Sequence, residues 1–150
     1  MRAVVQRVSE ASVGIDDIER ARIRTGLVVL LGIAVGDTNE DLEWLCGKIT
    51  RLRIFPDHEG VMNLDINEAN GEILLVSQFT LQASTAKGNR PSWIRAARPE
   101  EAMPLYLRAK QLLNELIAMR VKTGEFGADM KVQLINDGPV TIVIDSKLKE

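Results

Sequence analysis

The chain has 150 residues, of which 45% are hydrophobic and 27% are charged, and its formal net charge is −2. This length and balance suit one globular domain spanning residues 1–150, with a real hydrophobic core. No apolar run approaches the roughly 20 residues of a membrane helix, and the N-terminus lacks a secretory pattern. A single cysteine excludes an internal disulfide, so we expect a cytoplasmic protein without a membrane segment.

Scarce side chains exclude several kinds of catalytic site. Cys46 and His58 are the single cysteine and histidine, too few for a His/Cys zinc site, which takes about three or four such ligands. A Ser-His-Asp triad would have to use His58, which lies in a turn-like sequence typical of a surface residue. Cys46 falls on the apolar face of a predicted helix, so we expect it to be buried and unreactive. An enzyme built on this chain must use backbone amides, hydroxyls, carboxylates or groups of its substrate, and we expect no metal and no cofactor.

The first half of the chain predicts strands around one helix. Apolar runs bounded by turn residues predict strands at residues 3–8, 11–15, 18–23, 26–33, 52–55 and 61–66. Strand 26–33 is apolar throughout, which indicates a central position in a sheet. Thr38 is expected to cap a helix, with Asp41 as an imperfect capping box. Apolar residues recur at helical spacing from Leu42 to Leu52, which predicts one face packed on the core.

The second half adds a buried strand and a long helix. Residues 73–80 open as an apolar strand and end on Ser-Gln-Phe-Thr. A helix is predicted from Pro99 to Met119, and Pro104 should kink or fray its first turn. The remaining predictions are a loop at 121–127 and two strands at 131–135 and 140–144. The whole pattern predicts an α+β fold in which strands outnumber helices.

Two polar stretches interrupt apolar runs in a way that suggests a site. One is Ser77-Gln78-Phe79-Thr80, and the other is residues 136–141, Asn-Asp-Gly-Pro-Val-Thr. A buried hydroxyl or amide without a partner costs about 1–3 kcal/mol, so these groups either satisfy one another within the fold or line a cleft. Ordinary hydrogen bonding at a strand end is the simpler interpretation of Ser77 and Thr80. We expect the two stretches to face one site.

A basic stretch between residues 84 and 98 offers a different function. It contains no acidic residue and includes Lys87, Arg90, Trp93, Arg95 and Arg98. Cations with an interleaved aromatic suit a phosphate backbone or an exposed base. The alternative is a solvated loop with Trp93 packed on the core. A non-enzymatic nucleic-acid-binding module that uses residues 87–98 therefore remains the second functional hypothesis.

Taken together, the motifs of this chain resemble those of the D-aminoacyl-tRNA deacylases. The resemblance covers nearly the whole chain in the order of the family. The matching motifs are Gln6-Arg7-Val8 with Ala11-Ser12-Val13, the run from Gly26 to Gly32, Met62-Asn63-Leu64, Ser77-Gln78-Phe79-Thr80, Arg90-Pro91-Ser92, Thr123-Gly124-x-Phe126-Gly127-Ala128-x-Met130 and Asn136-Asp137-Gly138-Pro139-Val140-Thr141. Either of the two polar strings alone would be a weak signal, but together they are specific.

The resemblance implies a fold, a partner and a reaction. The fold would be a two-layer β arrangement with helices packed on one side, in a homodimer whose active sites lie at the subunit interface. The enzyme would hydrolyse the ester joining a D-amino acid to the 3′-terminal adenosine of tRNA. It would also remove glycine from mischarged tRNA and spare L-aminoacyl-tRNA, a chiral proofreading step in translation.

The resemblance also implies roles for individual residues. Catalytic positions would be Ser77, Gln78, Phe79 and Thr80, and substrate-binding positions would be Arg7, Phe126, Met130, Asn136, Gly138 and Pro139. Backbone amides near Phe79 and Thr80 would form an oxyanion hole, and the 2′-hydroxyl of the terminal ribose would help to activate water. The alternative is Thr80 as a direct nucleophile, although no base is evident near it.

Chirality would depend on the Gly138-Pro139 peptide, which the resemblance implies is cis and inserted into the neighbouring subunit's site. Its carbonyls would bind the substrate amine, so that an L side chain meets the wall and a D side chain points to solvent. Arg7 would hold this loop through its carbonyls, the alternative being a surface arginine. Phe126 and Met130 would line the pocket, the alternative being plain core packing.

Overall fold

The computed structural model of the protein describes residues 1–149. Along this part of the chain there are eight β-strands, two α-helices and a short 3-10 helix. The strands are β1 (Arg2–Ile15), β2 (Ile18–Ile23), β3 (Gly26–Gly32), β4 (Phe55–Pro56), β5 (Met62–Leu64), β6 (Glu72–Ser77), β7 (Val121–Thr123) and β8 (Lys131–Asp145). The helices are α1 (Asn39–Thr50) and α2 (Pro99–Leu116), and the 3-10 helix spans Phe79–Gln82.

Strand β1 organises the main sheet because it pairs with three other strands. Its first half pairs antiparallel with β3 and its second half with β2, while β8 pairs antiparallel along its other edge. β6 pairs parallel with β3, and β7 pairs parallel with β6. The sheet curls until Lys122 Nζ of β7 donates to the carbonyl of Arg22 in β2 at 2.6 Å. The result is a nearly closed, barrel-like sheet, with β4 and β5 as a separate two-stranded sheet.

Both faces of the central strands are buried, which explains why β3 and β6 are apolar throughout. Leu27 and Ile73 point to one face and pack in a cluster that includes residues of both α-helices. Val28 and Leu74 point to the opposite face, inside the curl of the sheet, and pack in a second cluster. The helices therefore lie on one side of the sheet, and the central strands are packed on both faces.

Helix α1 confirms the local sequence signals. Thr38 is its N-cap, and the reciprocal bonds of a capping box with Asp41 are both present. Cys46 is buried on the core face, and burial raises the pKa of its thiol to about 12, so it is an unreactive core residue as predicted. The side chain of His58 is 89% exposed, which confirms a surface position and leaves no catalytic triad around it.

Helix α2 tolerates its internal proline. Pro104 lies inside the helix, which runs without interruption from Pro99 to Leu116. The N–H groups of Glu101 and Ala102 both donate to the carbonyl of Arg98, at 3.0 Å and 2.8 Å, so the expected fraying of the first turn does not occur. Neither helix of the described chain is long and apolar enough to cross a membrane.

Several predicted boundaries are wrong because pairing across the sheet joins segments that the sequence separates. The strands predicted at 3–8 and 11–15 are one strand, β1, since β8 pairs with both halves. The strands predicted at 131–135 and 140–144 are likewise one strand, β8, whose register is irregular between Gln6 and Glu10 of β1.

Other boundaries move by a few residues. The loop predicted at 121–127 begins with strand β7, and the strand predicted at 52–55 is reduced to β4. The strand predicted at 73–80 ends at Ser77, where the chain turns into the 3-10 helix.

The fold is mixed α/β, with a nearly closed sheet and two helices on one face. The expected class, in which strands outnumber helices and the helices pack on one side, agrees with this architecture. In place of two β layers, the described strands form one curled main sheet with a hydrophobic cluster on each face. The helices cover one face and the curl of the sheet encloses the other, so a second β layer is not needed to build the core of this chain.

Candidate active site

A cleft of about 550 Å³ opens where three parallel strands end. Because β3, β6 and β7 run in the same direction, their carboxyl ends meet at one edge of the sheet, a common location for a ligand site. Residues that follow β3 and β6 form one side, and residues that follow β7 form the other. The lining includes Ile33, Ser77, Gln78, Phe79, Phe126 and Met130.

The turn after β6 leaves backbone donors free beside the cleft. The N–H of Gln78 donates to the carbonyl of Leu31 at 2.8 Å, which fastens the turn to β3. Among the hydrogen bonds of residues 1–149, the N–H groups of Phe79 and Thr80 have no protein acceptor, as expected for the first amides of a helical turn. The turn can therefore donate two backbone hydrogen bonds to a ligand.

Gly32 lets this turn lie close against β3. A Cβ at position 32 would lie 2.8 Å from the carbonyl oxygen of Gln78 and 2.8 Å from Cβ of Leu81. Gln82, which is 4% exposed, donates from its side-chain amide to the carbonyl of Gly32 at 2.8 Å. The position of the free amides is thus fixed by close backbone packing rather than by flexible side chains.

The polar side chains of the turn satisfy one another. Gln78 Nε2 donates to Thr80 Oγ1, and no buried side-chain nitrogen or oxygen in the described part of the chain lacks a partner. Within the same residues, no carboxylate or imidazole bonds to the hydroxyl of Thr80. Ser77, half-buried, also lines the cleft. The geometry gives Thr80 a neutral amide as its neighbour and no base to activate it.

The opposite wall is supported by helix α2. The ring of Phe126 packs at 5.5 Å, between centroids, on the ring of Tyr106. The buried hydroxyl of Tyr106 donates to the carbonyl of Leu75 at 3.0 Å, and burial raises its pKa to about 12. Phe126 and Met130 line the cleft while also packing against the core clusters, so both interpretations of these residues describe part of their surroundings.

Sequence reasoning misses the titratable residue of the cleft lining, Asp129. Its carboxylate is 89% exposed and pairs with Lys131 Nζ at 3.0 Å. Ala96 and Ala97 are missed as well, and they line the cleft from the end of the basic stretch. The available signal for Asp129 was its position between two motif residues, and the alanines carried no signal because they belong to an irregular segment.

A second group of predicted residues surrounds the loop that interrupts β8. The Gly138-Pro139 peptide bond is cis, as the resemblance implies. Arg7 is only 8% exposed. It donates from Nε to the carbonyl of Asp137 at 3.1 Å and from Nη1 to the carbonyl of Ile54 at 2.5 Å. The surface-arginine interpretation is therefore wrong, because Arg7 is buried and bonded to the loop.

Asn136 and Gly138 shape the same loop. Asn136 Oδ1 accepts from the N–H of Val140 at 2.9 Å, and its Nδ2 donates to Thr141 Oγ1 at 2.9 Å. Gly138 has a φ of 128°, and a Cβ there would lie 3.0 Å from Nη2 of Arg7, so this position requires glycine. The tip of the loop is exposed, which leaves a well-anchored stretch of backbone facing solvent.

Comparison with known proteins now identifies the family. Residues 4–145 match the sequence model of the family described as D-Tyr-tRNA(Tyr) deacylase. The chain belongs to this family. A D-aminoacyl-tRNA deacylase from Bacteroides fragilis (strain YCH46) is 58% identical over 150 residues, covering 100% of both chains.

Two solved structures are similar to this chain over nearly its whole length. One, described as "c-Myc DNA Unwinding Element Binding Protein", has a TM-score of 0.92 and 41% identity, covering 97% of this chain and 98% of that chain. Another, described as "Structural Analysis of a probable eukaryotic D-amino acid tRNA deacylase", has a TM-score of 0.81, covering 95% and 97% of the two chains. Its identity is 18%, so this second likeness shows the fold alone.

In this member of the D-Tyr-tRNA(Tyr) deacylase family, the predicted site residues fall into two separate groups. The turn after β6 lines the cleft, whereas the loop of β8 is absent from its lining. Strands β3 and β1 lie between β6 and β8 in the sheet, which separates the groups by three strand spacings of about 4.8 Å each. The expectation that both polar stretches face one site is not met within a single chain.

Proposed function

We propose that this protein is a D-aminoacyl-tRNA deacylase. It hydrolyses the ester between a D-amino acid and the 3′-terminal adenosine of tRNA and releases both products in the cytoplasm, where translation consumes aminoacyl-tRNA. The observation that carries the proposal is 58% identity over the full chain to a protein of that name. A cleft of about 550 Å³ suits an adenosine that carries one amino acid.

The chemistry follows from the free amides beside the cleft. An aminoacyl ester is an activated acyl group, so its hydrolysis needs stabilisation of the tetrahedral oxyanion more than it needs a strong nucleophile. The N–H groups of Phe79 and Thr80 lack protein acceptors and are held on a rigid turn, so they can bind that oxyanion without reorganising. Removing one donor of this kind typically costs about 10²–10³ in rate.

Water is the nucleophile in this proposal. The hydroxyl of Thr80 accepts from the amide of Gln78, a neutral donor that cannot take a proton from it. Among the described residues, no titratable side chain lines the cleft besides Asp129, which is 89% exposed and paired with Lys131. The 2′-hydroxyl of the terminal ribose then positions the attacking water, and Thr80 and Gln78 orient the substrate.

Chiral selection would come from a second subunit. The loop at Gly138-Pro139 is exposed, anchored by Arg7, and remote from its own chain's cleft. Placed over the cleft of a partner, its carbonyls would bind the substrate amine. With the amine and the ester both held, an L side chain would clash with the loop and a D side chain would face solvent. Glycine has no side chain to reject and would also be hydrolysed.

The test is to incubate the purified protein with D-tyrosyl-tRNA and L-tyrosyl-tRNA and to follow loss of the ester. We expect hydrolysis of the D-ester and persistence of the L-ester. Equal inertness towards both would refute the proposal. The nucleic-acid-binding hypothesis predicts a different result, namely salt-sensitive binding of RNA with no loss of the ester.

A further inference from the structure

Two aromatic side chains stand exposed at the mouth of the cleft. In a chain with only 4% aromatic residues, Phe79 is 56% exposed and Trp93 is 40% exposed. Their rings meet edge to face, with centroids 5.3 Å apart and planes at 72°. Phe79 also lines the cleft, so the pair extends the cleft outwards. Trp93 is therefore not packed on the core, which corrects that alternative.

The segment that carries Trp93 is held in place by backbone hydrogen bonds. Ser84 and Ser92 exchange two of them, at 2.9 Å and 2.8 Å. Three residues after Trp93, the N–H of Ala96 donates back to the carbonyl of Trp93 at 2.9 Å, and the N–H of Ala97 then donates to the carbonyl of Ile33 at 3.0 Å. An indole on such a framework offers a ring face at low cost in conformational entropy.

The same segment carries an uncompensated positive charge. It has four cationic residues and no acidic residue between positions 84 and 98, in a chain whose net charge is −2. Lys87, Arg90, Arg95 and Arg98 are all exposed. Within the described chain none of them forms an ion pair. A cluster of unpaired cations attracts phosphate groups and would not favour an apolar partner.

We propose that Phe79 and Trp93 form a stacking platform for the unpaired nucleotides that precede the terminal adenosine of the tRNA, and that Arg90 and Arg95 bind their phosphates. The inference rests on the proposed function, which places the terminal adenosine in the cleft. The strand that leads to it must then leave the cleft at its rim, to which Phe79 and the last residues of the basic segment, Ala96 and Ala97, contribute. Stacking on aromatic rings tolerates any base, so the platform serves every tRNA alike.

The first test separates substrate binding from catalysis with Trp93→Ala. Loss of one base–aromatic stack typically weakens binding by roughly 5- to 150-fold. We expect KM for D-tyrosyl-tRNA to rise about tenfold while kcat stays within about twofold, because the stack is present in both ground and transition states. Trp93→Phe, which keeps a ring, should restore most of the KM. An unchanged KM in Trp93→Ala would overturn the platform.

A second measurement does not depend on hydrolysis. The chain has two tryptophans, so Trp44→Phe leaves Trp93 as the single indole. Titration with tRNA that carries no amino acid, and with the trinucleotide CCA, should quench the fluorescence of Trp93. The quenching should weaken as the salt concentration rises. Absence of quenching at tRNA concentrations well above the KM for the aminoacylated form would overturn the proposal even if Trp93→Ala fails to fold.

The charges are tested with matched double variants. The slope of log KM against the logarithm of the salt concentration should be smaller in Arg90→Gln/Arg95→Gln. We expect the slope to fall by about 0.7 for each phosphate that the variant no longer neutralises. Arg20→Gln/Arg24→Gln removes two exposed charges from β2 and its end and should leave that slope unchanged. Equal slopes for both double variants would refute the assignment of phosphates to Arg90 and Arg95.

Two other outcomes have distinct meanings. If Trp44→Phe protein is quenched by CCA while the wild type does not hydrolyse D-tyrosyl-tRNA, the proposed function is refuted and the platform is a nucleotide-binding surface. If Trp93→Ala instead changes the subunit number measured by light scattering, the ring contacts a second copy of the chain, and the platform is refuted.

Discussion

The turn after β6 and the loop of β8 differ in how each presents its backbone. The turn lies at the carboxyl ends of parallel strands, is fastened to β3 through Gln78, and leaves two N–H groups without protein acceptors beside a cleft. The loop projects from the long strand β8, is anchored by Arg7, and exposes its tip to solvent. One region offers N–H donors that can bind developing negative charge, and the other offers a shaped stretch of backbone with carbonyl oxygens, beside the Asp137 carboxylate that pairs with Arg7.

If the proposed mechanism holds, this difference explains how a chain poor in histidine and cysteine forms an enzyme site. In the proposed mechanism both regions act through backbone groups, and each has one glycine where the packing is too close for a Cβ atom. The missing side chain of Gly32 leaves room for the turn, and that of Gly138 leaves room for the guanidinium of Arg7. Substitution of either glycine therefore tests one region while leaving the side chains of both in place.

The largest effect is expected for Gly32→Ala. Its Cβ would lie 2.8 Å from the carbonyl oxygen of Gln78, so the turn must move away from β3 and carry the amides of Phe79 and Thr80 with it. We expect kcat for D-tyrosyl-tRNA to fall about 10²-fold or more, since misplaced oxyanion donors cost that much. Steady-state kinetics on the folded variant measure this loss.

Gly14→Ala is the matched control, because a Cβ there has its nearest neighbour at 3.5 Å, an ordinary contact. It should retain nearly wild-type kcat and a similar melting temperature. A Gly32→Ala protein that melts like the wild type and keeps full kcat would show that the turn does not carry the chemistry.

A smaller and different effect is expected for Gly138→Ala. The residue must keep a φ of 128°, and its Cβ would lie 3.0 Å from Arg7 Nη2 and 2.9 Å from Val140 Cγ2. The loop should shift and loosen, so that an L side chain meets a weaker wall. We expect the ratio of kcat/KM for D- over L-tyrosyl-tRNA to fall by roughly tenfold or more, which corresponds to about 1.4 kcal/mol of lost discrimination.

The control for backbone strain is Gly60→Ala. That residue has a φ of 81° with no atom within 4 Å of the added Cβ, and it lies outside both regions. It should be slightly destabilised with an unchanged D/L ratio. If Gly138→Ala loses activity towards D- and L-esters in equal proportion, the loop does not select chirality.

Local features of this structure were predictable from sequence, and long-range features were not. The Thr38–Asp41 capping box and the buried Cys46 follow from nearest neighbours along one helix. The continuity of β1 does not, because its polar Ser9-Glu10 carries no strand signal, and β8 pairs with the residues on both sides of Ser9.

The same limit applies to the candidate site. Residues 77–79, 126 and 130 belong to motifs and line one cleft, and Thr80 follows directly after Phe79 without entering the lining. Ala96, Ala97 and Asp129 enter the lining from irregular segments, where no periodicity or motif marks them. The bond from Arg7 to the carbonyl of Asp137 joins residues 130 positions apart, and it was predicted only because the whole set of motifs resembled a family.

Mixing the two glycine variants tests whether the regions meet across subunits. In a large excess of Gly32→Ala protein, almost every Gly138→Ala subunit should be part of a mixed dimer. Its intact turn would then be completed by the intact loop of its partner. We expect the D/L ratio of the mixture to return to the wild-type value.

The outcome depends on a check that mixed dimers form, for which differently tagged subunits and co-purification suffice. If they form and the D/L ratio stays at that of Gly138→Ala alone, each loop serves its own chain's cleft. The cross-subunit arrangement would also be refuted if light scattering shows a monomeric wild-type protein that still hydrolyses D-tyrosyl-tRNA in preference to L-tyrosyl-tRNA.

The smallest effect is expected for Thr80→Ala, which removes a side chain from the turn but keeps its N–H. The missing hydroxyl accepts from Gln78 Nε2 in the wild type and has no base beside it, so only the orientation of Gln78 and the substrate should suffer. One neutral hydrogen bond is worth about 0.5–1.5 kcal/mol, which predicts a loss of roughly 2- to 10-fold in kcat. Complete inactivation of a folded variant that still binds tRNA would instead make Thr80 the nucleophile. A D-tyrosyl-tRNA that ends in 2′-deoxyadenosine tests the same step from the substrate, and its hydrolysis at the full rate would remove the ribose hydroxyl from the mechanism.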